Sequence, residues 1–350
     1  MQDYFLDAHL DLAWNALQWN RDITQSVYTI RTQEATQPGR AGNTVALPEM
    51  HQGKVYLAIA TLMGRNTGVP VLNVDFRSTA QTTAVAQGHM AYYRALEQLG
   101  HVNIIETVDQ LDDQISAINT GSPDRIGLLI GMESADAILR PDDVHIWYEL
   151  GVRVIGPAHY GMGRYAGGTG VEDGFTDAGR VLLREMQAHS IVLDLTHLSD
   201  RAFWEALESY EGPVIASHSN CRTLVAHQRQ LDDKQIKAIA ERNGTIGIAF
   251  DVWMLCPEWI KGYSSNNDIT LNDVVDHIDY VCQLTGNAAH VAIGTDLDGG
   301  FGRSQSPVDL DTIADIQKII PLLRHRGYDD THLENILHQN WLCVVRKALP

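Results

Sequence analysis

The chain has few of the features that mark exported, membrane-bound or nucleic-acid-binding proteins. Its four cysteines are scattered and form no CxxC pair, so we expect reduced thiols rather than a disulfide framework. No run approaches the roughly 18 apolar residues of a membrane span, and no basic segment followed by an apolar run opens the chain. Only 26 lysines and arginines stand against 44 acids, a net charge of −18, which argues against nucleic acid or an anionic membrane as a partner. We therefore predict a soluble cytoplasmic protein that acts on a small molecule.

Eight short runs rich in valine, isoleucine and leucine recur along the chain and alternate with stretches of helical spacing. The runs begin near residues 3, 54, 125, 152, 191, 213, 245 and 290. Apolar runs without polar alternation are typical of parallel strands covered on both faces. Eight of them alternating with helices predict a (β/α)8 barrel, formed by residues 1–350 as a single domain. A doubly wound open sheet is the alternative.

Histidines and acids stand at the ends of six of the eight predicted strands. They are His9 and Asp11 on the first strand, Glu133 on the third, His159 on the fourth, His197 on the fifth, His218 on the sixth and Asp296 on the eighth. Barrel enzymes carry their chemistry at the C-terminal ends of the strands, and side chains two residues apart on a strand face the same side. Histidine and carboxylate ligands suit zinc or a similar divalent ion. The pattern predicts a two-metal centre with one bridging carboxylate.

Five motifs occur in order from Asp7 to the C-terminal third of the chain, namely DAHLD, GMES, DLTHLS, PVIASHSNCR and IGTDLDG. They are similar to the motifs of the membrane (renal-type) dipeptidases, peptidase family M19, and the resemblance extends over the whole chain to Leu349. Ala8 and Ser134 stand where that family has glycine. The family belongs to the metal-dependent hydrolase superfamily and has a distorted (β/α)8 barrel, which the resemblance implies for this chain.

The resemblance also implies a ligand set for two Zn²⁺ ions. His9, Asp11 and Glu133 would hold one ion, and Glu133, His197 and His218 would hold the other. Glu133 would therefore be the bridging carboxylate.

Catalytic and substrate-binding roles follow from the same resemblance. Asp296 would act as general base and then as general acid, and His159 would stabilise the tetrahedral oxyanion. Arg229, in the stretch HQRQLDD, would bind the free C-terminal carboxylate of the substrate through its forked guanidinium. Asp7 and Asp298 lie two residues from members of this set, and we expect them to orient their neighbours.

The predicted activity is hydrolysis of dipeptides, with L-Xaa-D-Xaa dipeptides among the candidates, by a hydroxide that bridges the two metal ions. One alternative is an N-acyl-amino-acid hydrolase with the same metal site, and another is a non-catalytic metal-binding homologue. Single residues have structural alternatives as well: His159 as a loop histidine, Asp296 as a strand-end acid, and Arg229 paired at the surface with Asp232 or Asp233. The resemblance further implies a homodimer.

Overall fold

A sheet of nine parallel strands forms the centre of the fold in a computed structural model that describes residues 2–69, 71–121 and 123–350. The strands are β1 Phe5–Leu10, β2 Val55–Met63, β3 Val102–Ile104, β4 Ile126–Glu133, β5 Val152–Gly156, β6 Val192–Asp194, β7 Val214–Ala216, β8 Thr245–Ile248 and β9 Val291–Ile293. Eight of them pair in the order β1-β2-β4-β5-β6-β7-β8-β9, and β3 pairs with the first half of β4. This order follows the chain without the reversal that defines a doubly wound sheet. The predicted barrel is confirmed, and β3 is a ninth strand that the sequence analysis missed.

The first and last strands of the barrel are joined through a side chain. The carboxylate of Asp7 on β1 accepts hydrogen bonds from the backbone nitrogen and the hydroxyl of Thr295, just after β9, at 2.9 and 2.6 Å. It also accepts one from the backbone nitrogen of His9 at 3.2 Å. Asp7 is completely buried, and burial raises the pKa of its carboxyl to about 6. The same side chain therefore closes the barrel and fixes the backbone of a predicted metal ligand.

Helices alternate with the strands around the barrel. They are α1 Leu12–Gln18, α2 Val27–Glu34, α3 Leu47–Gln52, α4 Thr79–Gln98, α5 Val108–Asn119, α6 Val144–Glu149, α7 Asp177–Ala188, α8 Asp200–Ser209, α9 Asp233–Glu241, α10 Val252–Leu255, α11 Leu271–Thr285, α12 Ile319–His325, α13 Asp330–Glu334 and α14 Asn340–Val345. No helix within the described ranges is both long and apolar enough to cross a membrane. The cytoplasmic location stays a prediction.

Alternate residues of the strands belong to two different parts of the core. Leu57 and Ile59 of β2 pack in one cluster with Leu129 of β4, and Trp341 of α14 belongs to the same cluster. Intervening residues of β2, such as Ala58, belong to the larger cluster, which includes residues of most of the helices. This period of two is the geometry of strands buried on both faces.

Candidate metal centre

One carboxylate oxygen lies at the centre of the site. Glu133 ends β4, and its Oε1 is 3.3 Å from Nε2 of His197, 3.4 Å from Nε2 of His218, and 3.6 Å from Nε2 of both His9 and His159. The four histidines come from four different strands or the loops that follow them. The barrel therefore gathers at one point five side chains that are far apart in the sequence.

Two further carboxylates lie beside this cluster. Oδ1 of Asp11 is 3.8 Å, and Oδ1 of Asp296 is 3.9 Å, from Nε2 of His9. The hydroxyl of Thr61 on β2 donates a hydrogen bond to Asp11. All five predicted metal ligands and the predicted acid–base residue thus lie together.

The ligand atoms form three groups in which every atom lies within 4.8 Å of the others. The groups are His9, Glu133 and His218; Glu133, His159 and His197; and His9, Asp11 and Asp296. Glu133 belongs to two of them, which suits a bridging ligand. The division that the resemblance implies places His218 with His197, and their Nε2 atoms are 3.2 Å apart. The assignment of ligands to individual ions stays a prediction.

Hydroxyl groups contact the second nitrogen of three of the imidazole rings. Oγ of Ser217 is 2.9 Å from Nδ1 of His218 and 3.5 Å from Nδ1 of His9. Oγ1 of Thr169 is 3.0 Å from Nδ1 of His197. Contacts of this kind orient metal-binding histidines and leave Nε2 for the ion. Neither hydroxyl was predicted from the sequence, although Ser217 directly precedes a predicted ligand.

Asp298, predicted as an orienting residue, bonds to a neighbouring loop. Its carboxylate accepts hydrogen bonds from the backbone nitrogens of Thr44 and Val45 at 2.7 and 3.0 Å, and from the Thr44 hydroxyl at 2.9 Å. Its backbone carbonyl and that of Asp11 both accept from the side-chain amide of Asn15, each at 3.0 Å. Asp298 therefore fixes the loop after β9, and Asn15 bonds both to Asp298 and to the predicted ligand Asp11.

The backbone is strained at the site. His197 and Asp296 have φ angles of 67° and 58°, in the left-handed region that residues other than glycine rarely adopt. Ser134, which follows Glu133, has a φ of 73°, and this accounts for the glycine that the family has there. Strain of this kind costs about 1–3 kcal/mol per residue and is concentrated at functional sites.

The charges of the cluster depend strongly on one another. Burial opposes ionisation of Glu133, but the surrounding histidines outweigh it and hold the pKa of its carboxyl well below its usual range. Burial would lower the pKa of His9, but Glu133 and the other acids raise it to about 10. Burial and neighbouring cations hold the pKa of His197 and His218 well below the usual value. These two rings are neutral, the form that binds metal.

The donor set fits a divalent metal. Burial raises the pKa of Asp11 to about 6 and that of Asp296 well above its usual range. Carboxylates buried side by side are costly unless a cation compensates them. The buried Nε2 of His9 makes no hydrogen bond to the described residues. Imidazole nitrogens and carboxylate oxygens at one point are the ligands that zinc and similar ions take.

Arg229, in the segment before α9, lies in the wall of a cavity beside this cluster. The residue is 4% exposed, and its guanidinium donates to Oγ of Ser219 at 3.0 Å and to the backbone carbonyl of His218 at 2.7 Å. Glu133 and Asp296 lie in the wall of this cavity as well. This burial removes the surface ion pair as an alternative for Arg229.

The cavity has further polar and aromatic walls that the sequence analysis did not assign. They include Trp14, Tyr160, Asp251, Trp253 and Met254, and the water-accessible volume is about 120 Å³. Asp251 is 7% exposed, and burial raises the pKa of its carboxyl to about 7. It directly follows the apolar stretch TIGIAF, so the signal that located the other strand-end residues was present here too.

A parallel (β/α)8 barrel with a cluster of histidines and carboxylates at the carboxyl ends of its strands defines the class of metal-dependent barrel hydrolases. The sequence profile of the membrane dipeptidases, peptidase family M19, matches residues 2–349, and the chain belongs to this family. The predicted family and enzyme class, the metallo-dipeptidases, are confirmed.

Individual relatives agree with this membership. An uncharacterized protein from the pqqA 5′ region of Klebsiella pneumoniae is 32% identical over 214 residues, which cover 59% of this chain and 76% of that protein. The dipeptidase tcpJ of Claviceps purpurea is 27% identical over 283 residues, which cover 79% of this chain and 61% of tcpJ. A metallo peptidase of Rhodobacter sphaeroides, solved with a phosphinate mimic of the dipeptide L-Ala-D-Ala, has the same fold, with a TM-score of 0.78, 22% identity and 99% coverage of both chains.

Proposed function

We propose that this chain is a two-zinc dipeptidase that cleaves dipeptides with a free C-terminal carboxylate. The observation that carries the proposal is that the cluster around Glu133 and the buried cation Arg229 share one small cavity. About 120 Å³ of water-accessible space suits a short substrate better than a long peptide. Divalent ions in such a site supply an activated water near neutral pH and polarise a carbonyl group.

Arg229 is the proposed anchor for the substrate carboxylate. A guanidinium has five N–H donors, and hydrogen bonds to Ser219 and His218 engage two of them. Among the described residues no other hydrogen bond from this guanidinium is seen, so three donors are left, enough for a forked contact with a carboxylate. The two engaged donors hold the side chain in place before substrate arrives.

Asp296 and His159 are the proposed catalytic residues. The Asp296 carboxylate accepts a proton from the attacking water and passes it to the departing amine. The His159 imidazole donates a hydrogen bond to the carbonyl oxygen as negative charge develops there, an interaction worth about 3 kcal/mol in comparable sites.

The proposal includes L-Xaa-D-Xaa dipeptides and a homodimer. The first is suggested by the L-Ala-D-Ala mimic bound to the Rhodobacter sphaeroides protein. The second follows from the resemblance to the family and is tested by the sedimentation equilibrium of the purified chain. A dimer mass supports it, and a monomer mass at micromolar concentration contradicts it.

The experiment is a hydrolysis panel with the zinc-loaded protein. The panel pairs L-L with L-D dipeptides and includes N-acetylated and C-amidated controls. We expect cleavage of free dipeptides and little cleavage of the amides. Cleavage of the acetylated compounds alone would instead indicate the N-acyl-amino-acid hydrolase. Zinc binding without any turnover would indicate the non-catalytic homologue.

A further inference from the structure

Arg65 is a nearly buried cation that none of the roles above uses. It follows β2 in the stretch MGRN, and its side chain is 11% exposed. Its NH1 lies 2.7 Å from Nδ1 of His159. One partner of this arginine is therefore the residue proposed to stabilise the oxyanion.

The contact fixes which nitrogen of His159 carries the proton. A guanidinium has donors and no acceptor, so Nδ1 accepts and has no hydrogen of its own. The neutral ring then carries its proton on Nε2. That nitrogen is 3.6 Å from Oε1 of Glu133, at the metal centre and in the cavity wall. In the proposed function, the N–H of His159 would therefore be available to the carbonyl group of a substrate bound in this cavity.

Arg65 is itself held in a fixed position. Its Nε donates to Oδ2 of Asp75 at 3.0 Å, and Asp75 also accepts from the backbone nitrogen of Thr67 at 3.2 Å. The backbone nitrogen of Arg65 donates to the carbonyl of Val74 at 3.1 Å, and its carbonyl accepts from the nitrogen of Phe76 at 2.8 Å. The loop between β2 and α4 therefore holds the guanidinium of Arg65 in place, with its NH1 facing the imidazole of His159.

We propose that Arg65 is a positioning residue that holds neutral His159 in the tautomer with its N–H on Nε2, ready to donate to the oxyanion. This proposal rests on the proposed function, because it takes the oxyanion role of His159 from it. Without Arg65, the ring can place its proton on Nδ1 or rotate, and an unprotonated Nε2 repels the developing charge instead of stabilising it.

The first test is a measurement of the tautomer. Nitrogen-15 NMR of the zinc-loaded protein with labelled histidine distinguishes a protonated ring nitrogen from a bare one, and His159→Gln assigns the signals by their loss. We expect Nε2 protonated and Nδ1 bare in the wild type, and a mixture or the reverse in Arg65→Met. A protonated Nδ1 in the wild type, or an unchanged tautomer in Arg65→Met, would overturn the proposal.

The second test is a double-mutant cycle in the dipeptidase assay. Removing one oxyanion donor lowers kcat about 100- to 1000-fold, so misplacing it in Arg65→Met should lower kcat about 10- to 100-fold with little change in KM. In the His159→Gln background the same change should have almost no further effect. An equal loss in both backgrounds would show that Arg65 acts independently of His159.

Two variants complete the design. Arg65→Lys retains a cation that can donate to the ring and should recover part of kcat. Arg31 is also a partly buried arginine in an ion pair, with Asp311 at 2.9 Å, and Arg31→Met should have near wild-type kcat and the wild-type tautomer. If no dipeptide is hydrolysed, the proposed function fails, and the NMR comparison still decides whether Arg65 sets the tautomer.

Discussion

Substitution of Arg229 tests how the site recognises its substrate. In Arg229→Met the cavity loses its cation, and a bound substrate carboxylate would be buried without a partner. Truncating one member of a buried hydrogen-bonded charge pair costs about 2–5 kcal/mol. We therefore expect kcat/KM for a free dipeptide to fall by about 30-fold or more.

The loss should be mostly in KM. The carboxylate keeps its charge throughout the reaction, so Arg229 binds the ground state and the transition state alike. Arg229→Lys retains the charge but not the fork, and we expect an intermediate KM. Because Arg229 also donates to the carbonyl of His218 at 2.7 Å, zinc content is measured in each variant to separate substrate binding from damage to the metal centre.

The assay compares each free dipeptide with its C-terminal amide. The wild type should prefer the free acid, and the two substrates should become nearly equal in Arg229→Met. If the wild type cleaves amides as efficiently as acids, Arg229 does not anchor the carboxylate. If Arg229→Met keeps its full zinc content and lowers kcat without changing KM, Arg229 does not anchor the carboxylate either.

Three further predictions concern carboxylates of the site and of the barrel. Asp296→Asn should retain the wild-type zinc content and lose at least about 100-fold in kcat; unchanged turnover would remove Asp296 from the mechanism. Thr295→Val should lower the free energy of unfolding in urea by about 1–3 kcal/mol, because buried Asp7 loses a donor, whereas Thr295→Ser should retain most of the stability. Burial raises the pKa of Asp251 from 3.8 to about 7, so the folded chain binds more protons than the unfolded chain between these values and wild-type stability falls as pH rises. The free energy of unfolding of Asp251→Asn, taken relative to that of the wild type, should therefore be about 2–4 kcal/mol higher at pH 8 than at pH 4. If urea unfolding gives the same difference between the two proteins at both pH values, this prediction is wrong.

The barrel could be predicted because its strands have a simple local signal. Runs such as VYLAIATLM are apolar at every position except Thr61, and β2 is buried along its whole length. β3 has only three residues, Val102–Ile104, with a polar asparagine in the middle, so it has no comparable run. The long strands could therefore be predicted from the sequence, whereas the short pairing of β3 with β4 depends on tertiary contacts.

The candidate ligands could be located because parallel strands bring their carboxyl ends together. His9 and His218 are 209 positions apart in the chain, and the centroids of their tilted rings are 3.7 Å apart. The residues that orient the rings were not predictable in this way. Arg65 and Thr169 lie in loops, and their contacts with the imidazoles depend on loop conformation rather than on strand periodicity.

The most direct test of the central claim is anomalous diffraction at the zinc edge from crystals of the zinc-loaded protein. We predict two zinc peaks per chain on either side of Glu133, each about 2.0–2.2 Å from one of its carboxylate oxygens. Peaks that avoid Glu133, or a single ion held without it, would contradict a two-metal centre bridged by this residue.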